Sequence, residues 1–75
     1  MIKVEVFWDD SSGPIGWTTI DLAKQYGVGQ CKSIGYLFQS TKDFVKICQS
    51  EGDGTAIGNL LIISRKNVKR VRRLT

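Results

Sequence analysis

Residues 31–49 read CKSIGYLFQSTKDFVKICQ, and the reading of this stretch decides the fold. On its first arm Ile34, Tyr36 and Phe38 alternate with Ser33, Gly35 and Gln39. On its second, Val45 and Ile47 alternate with Lys46 and Cys48. A period of two, rich in aromatic and β-branched residues, marks half-buried β-strands. The polar run Gln39-Ser40-Thr41-Lys42-Asp43 between them is the tip of a hairpin. Gly35 brings no side chain to mid-strand, which predicts a bulge or sharp bend there. A bent strand lets a small sheet curl into a barrel.

Working outward, Ile2, Val4, Val6 and Trp8 share one face of a first strand, with Lys3, Glu5, Phe7 and Asp9 on the other. The run Asp9-Asp10-Ser11-Ser12-Gly13-Pro14 has loop and turn chemistry. Residues 17–27 carry the one strong helix signal. Thr18 suits the N-cap with Asp21 three residues on, Leu22, Ala23 and Tyr26 form an apolar stripe, and Gly27 suits the end. A helix of about eight residues is too short to stand alone, so Leu22 and Tyr26 are expected to bury against the sheet.

After the hairpin, Glu51-Gly52-Asp53-Gly54 is a second turn. Residues 56–64 read as a fourth strand around Leu60-Leu61-Ile62-Ile63. Four successive large apolar residues suggest burial on both faces, or one face in the core and the other against a neighbouring subunit. The tail carries Val68, Val71 and Leu74 at intervals of three among Arg65, Lys66, Lys69, Arg70, Arg72 and Arg73. It reads as a tight turn at 65–68 and a closing strand through Val71, the alternative being a basic amphipathic helix. The expected fold is therefore mainly β: one domain over 1–75, a small five-stranded, strongly bent barrel with a short helix between the first and second strands. That order of elements resembles the SH3-like and Sm-like small barrels.

A closer resemblance rests on Val4-x-Val6-x-Trp8-x-Asp10, Gly16-Trp17, Ser33-Ile34-Gly35-Tyr36-Leu37 and Val68-x-x-Val71-x-x-Leu74. These pieces look like a family of small proteins encoded by bacteriophages. The family often has Ile-Pro-Lys before the last strand, where this chain has Ile63-Ser64-Arg65. The resemblance implies a phage context, and the host bacterial cytoplasm as the place of action, more than a mechanism.

Seventy-five residues with a net charge of +4 make a small basic chain. A core this size buries only roughly 60% of the unfolded surface, and oligomerisation is a common supplement. No apolar run nears the ~20 residues of a membrane span, and the first residues lack the apolar block of a secretory signal; a soluble, cytoplasmic protein with no membrane partner is expected. The two cysteines, Cys31 and Cys48, are expected to be unbridged small hydrophobes in a reducing compartment. All seven acids lie at or before Asp53, whereas six of the eleven bases lie between Arg65 and Arg73. Such a terminus favours an anionic partner; the alternative is a solvated edge that serves solubility.

Catalytic chemistry finds little here. There is no histidine, the commonest base and metal ligand. Two cysteines fall short of a zinc site. Asp9-Asp10 and Asp53 stand in turn sequences where Asp is expected anyway, and Gly27-Val28-Gly29 follows a helix instead of opening one. No enzyme activity, metal or cofactor is expected. Binding suits the residues better: Trp8, Trp17 and Tyr36 offer faces on which nucleotide bases stack, and Arg65, Lys66, Arg70 and Arg72 offer grips for phosphate. Against this, Trp8, Trp17 and Phe38 also suit a core. Two functions follow. One is sequestration of a small anionic ligand, foremost a cyclic nucleotide immune signal, by a homo-oligomer that counters host antiviral defence. The other is a nucleic-acid-binding or protein-interaction barrel using the basic tail.

Overall fold

The structure is a computed structural model, and it describes residues 1–11 and 16–75. Seven strands are present among the described residues. They are β1 (Lys3–Ser11), β2 (Val28–Ser40), β3 (Phe44–Cys48), β4 (Ser50–Gly52), β5 (Ala56–Gly58), β6 (Leu61–Ser64) and β7 (Val68–Arg73). One helical turn, α1 (Ile20–Ala23), lies between β1 and β2, and a 3-10 turn, Arg65–Asn67, precedes β7. Five strands form an antiparallel sheet in the order β6-β3-β2-β1-β7, while β4 and β5 pair with each other as a separate ribbon.

The central hairpin forms as its alternation predicts. Tyr36 pairs with Cys48 and Leu37 with Ile47. The turn is held by Thr41, whose Oγ1 accepts from the backbone N–H groups of Asp43 and Phe44 at 3.2 and 3.0 Å. The bulge is at Phe38, where the register slips between Leu37 and Gln39, and not at Gly35. Gly35 serves close approach instead: a Cβ there would lie 2.7 Å from the carbonyl oxygen of Cys48.

Cross-strand partners share a face, so the registers sort the side chains. Val4, Val6, Val45, Ile47 and Ile63 form the buried cluster, with Trp8, Leu37, Leu61 and Val68 packed on it. The five buried residues come from β1, β3 and β6 with β2 between, so the sheet must curl for them to meet; Gly35, facing Val4, leaves room for it. The expected five strands and short helix are present, but the barrel does not close: β6 and β7 end the sheet without pairing.

Several expectations are corrected. Phe38, which suited a core, is exposed alongside Ile34 and Tyr36, because the inward side of β2 is the Gly35–Leu37 side. Phe38 is therefore not core. The turn expected from Asp9 does not include Asp9, Asp10 or Ser11, since β1 runs on through Ser11 paired to Val28; Ser12, Gly13 and Pro14 lie outside the described residues. The single fourth strand expected over 56–64 is two: β5 pairs with β4 and β6 with β3, separated at Asn59, whose φ of 55° turns the chain. Leu60 and Ile62 are exposed and Ile63 is buried.

The helix is shorter and shifted by one residue. Its N-cap is Thr19, with Oγ1 accepting from Leu22 N–H at 3.2 Å. None of its residues is buried, and Leu22 and Tyr26 are each 50% exposed. The expected docking of this helix on its own sheet does not occur. The second turn forms as expected, Asp53 and Gly54 both taking positive φ (51° and 68°) as an Asp-Gly hairpin turn demands. The tail is turn and strand, not helix.

Candidate functional site: a basic outer face

β1 is sandwiched between β2 and β7, and on its outer face it presents Lys3, Glu5, Phe7 and Asp9. The ladders place Arg72 opposite Glu5 and Arg70 opposite Phe7 on one side, and Ile34 opposite Glu5 and Lys32 opposite Phe7 on the other. The outcome is a cluster of cations around two carboxylates. Glu5 is only 5% exposed; its Oε1 accepts from Arg72 Nε at 3.1 Å and Nη2 at 2.9 Å. Its Oε2 lies 3.9 Å from Lys32 Nζ. Lys69 Nζ is 3.2 Å from Asp9 Oδ2. The guanidinium of Arg70 stacks over the Phe7 ring, 4.6 Å from its centroid.

Lys32, Lys69, Arg70 and Arg72 together exceed the charge of Glu5 and Asp9, so the face stays positive. The bases of β7 reach it by strand periodicity with a shift: the ladder slips between Phe7 and Trp8. That irregularity brings Lys69 to the outer-face carboxylate of Asp9, beside Arg70 and Arg72.

The residues expected to bind ligand are divided among several places. Tyr36 lies opposite Lys3, on the same outer face as Arg70 and Arg72. It stands about 7 Å along the strands and roughly 10 Å across from Arg72 by strand spacing. Trp8 faces inward, its Nε1 donating to Ser33 Oγ at 3.0 Å. Trp17 precedes α1 and is wholly exposed. Arg65 is spent on the fold: its Nε and Nη2 donate to the Thr41 carbonyl at 3.1 and 2.9 Å, and Nη2 to Ser40 Oγ at 2.5 Å. Lys66 is exposed in the 3-10 turn. Lys32 and Phe7 were missed by sequence reasoning. Phe7 sits on the polar side of the β1 alternation, which was a legible sign that an aromatic ring faces outward.

A separate cleft of about 380 Å³ lies where β2 meets the β4–β5 ribbon, lined by Met1, Phe38, Ala56, Ile57 and Glu51. It is lined by a carboxylate and by no Lys or Arg side chain, so it lacks the guanidinium or ammonium side chains that grip an anion. Among the described residues no cluster of three or more His, Cys, Asp or Glu is placed to hold a metal ion. Both cysteines are free. No described helix is long and apolar enough to cross a membrane. No protein-family model, curated protein or solved structure matches the chain.

Proposed function

We propose that this is a non-enzymatic binding protein that sequesters a small anionic ligand, foremost a cyclic nucleotide immune signal, on the outer face of β7-β1-β2. In a phage context such sequestration counters host antiviral defence. The observation that carries the reading is Arg70 stacked on Phe7 amid Lys32, Lys69 and Arg72. A guanidinium over a ring, flanked by further cations, offers both partners a nucleotide asks for: a surface to stack on and charge for phosphate.

The reading includes assembly. A small ligand is held in a concave site, and this face is open on one copy, so a second copy supplies the missing wall. The curled sheet ends in two unpaired edges, β6 and β7. The β6 edge, Leu61-Ile62-Ile63-Ser64, carries neither charge nor proline, the devices that keep edges apart. We read the curled sheet as an SH3-like or Sm-like barrel completed by joining such edges between copies.

Isothermal titration calorimetry against a panel of cyclic and linear nucleotides tests the reading. Heat for at least one member, lost in Arg70→Ala, is the expected result; no heat for any member overturns it. A second reading is favoured by the openness of the face, which suits an extended strand as well as a small molecule. It expects single-stranded nucleic acid to bind with an affinity that falls steeply with salt. A gel shift at low salt distinguishes the two.

A further inference from the structure

Between Trp17 and Tyr26 the chain holds large apolar side chains that the described residues of its own fold leave exposed or half-exposed. Trp17 is 102% exposed and Ile20 76%, beside the half-exposed Leu22 and Tyr26. α1 is one helical turn, far below the ~12–15 residues that hold a helix in water without support. Four large apolar side chains on and beside this one turn signal a docking element.

The dimensions of the chain agree. Its radius of gyration is 15.3 Å and its longest extent 50 Å, where a compact chain of this length has a radius near 11 Å. It exposes 5746 Å², against about 4,600 Å² for a folded monomer of 8.4 kDa. The excess, on the order of 1,100 Å², is comparable with the ~800 Å² that each partner contributes to a stable interface.

We propose that this segment is an exchange arm, and that Trp17 of one copy seats in the cleft between β2 and the β4–β5 ribbon of a second copy. The cleft's 380 Å³ falls in the roughly 300–1,000 Å³ range that takes a ligand-sized group. It is lined by Met1, Phe38, Ala56 and Ile57, by Gly54 and Thr55 of the second turn, and by one carboxylate, Glu51. An indole wants that combination, an apolar wall for the ring and an acceptor for its N–H. Glu51 has no cation partner among the described residues, and on the arm neither does Lys24. Their charges are complementary. Exchange is reciprocal, since each copy carries one arm and one cleft, so a two-fold pair satisfies both.

Sedimentation velocity on the intact chain tests this. The wild type is expected to self-associate at micromolar concentration, and Trp17→Ser to weaken association by about tenfold or more, as loss of a central tryptophan anchor does. Because Trp17 is wholly exposed in its own copy, the far-ultraviolet circular dichroism of W17S should not change. Lys24→Glu and Glu51→Lys should each weaken association, and the double exchange should recover part of the loss, since it restores the charge pair but leaves the Trp17 N–H without its acceptor. A wild type that stays monomeric overturns the arm, as does association that survives W17S unchanged. In the second case the edge-joined assembly proposed above still stands, so the two proposals fail separately.

Discussion

Arg72 and Glu5 face each other across the β1–β7 ladder, and both Nε and Nη2 of the arginine donate to one oxygen of the buried carboxylate. The sheet thus carries a nearly buried negative charge beneath a positive surface. The pair fastens the last strand to the first, while the arginine side chain, 55% exposed, still presents charge outward.

Removing the arginine strands the carboxylate. Arg72→Ala is expected to destabilise the fold by about 1–3 kcal/mol, the cost of a buried polar group left without its main partner. Lys32, at 3.9 Å, keeps the loss toward the lower end. Replacing both partners with apolar residues, Glu5→Leu with Arg72→Met, should cost less than Arg72→Ala alone, because no charge is left buried. Urea denaturation of the single and double variants measures this, and a double variant less stable than the single would refute it.

Gly35 admits no side chain. A Cβ would stand 2.7 Å from the Cys48 carbonyl oxygen, a backbone atom that cannot rotate away. Gly35→Ala is therefore expected to cost about 1–3 kcal/mol through a shift of β2 against β3. Thermal unfolding with an unchanged midpoint would show that the strands yield freely.

Arg65 and Arg70 should separate stability from binding. Arg65 braces the β2–β3 turn through Thr41 and Ser40, so Arg65→Ala should lower stability by about 1–2 kcal/mol and leave nucleotide affinity unchanged. Arg70→Ala should do the reverse, with stability changed by less than about 1 kcal/mol, the worth of an exposed cation–π contact. Denaturation and calorimetry on the same two variants check both halves.

The bare edge of β6 makes a different forecast. Ile62 is 50% exposed on the outer face, opposite Lys46. Ile62→Lys is expected to weaken self-association while altering the stability of the single copy by no more than about 0.5 kcal/mol, as a surface change does. Sedimentation and urea denaturation give the two values.

Short-range pattern by itself determined the hairpin of β2 and β3, the Asp53-Gly54 turn, and the tight turn followed by a last strand. Each depends on residues within a few positions: alternation, turn chemistry, one helical turn's reach. The candidate site was legible only in part. Arg70 and Arg72 were, from their place in the basic tail; Lys32 and Phe7 join them solely because β1 lies between β2 and β7.

Tertiary structure decided what local pattern left open. Residues 56–64 look like one apolar strand, yet Asn59 turns the chain and sends the two halves to different partners. Ile34, Tyr36 and Phe38 alternate as a buried face would, but it is the Gly35–Leu37 side of β2 that turns inward, with Gly35 lying close against Cys48. Leu22 and Tyr26 fit a buried helix face in every local respect, yet each is half exposed. The physical reason is the same each time: periodicity reports that two faces differ, whereas which face is buried depends on contacts between residues far apart in the chain.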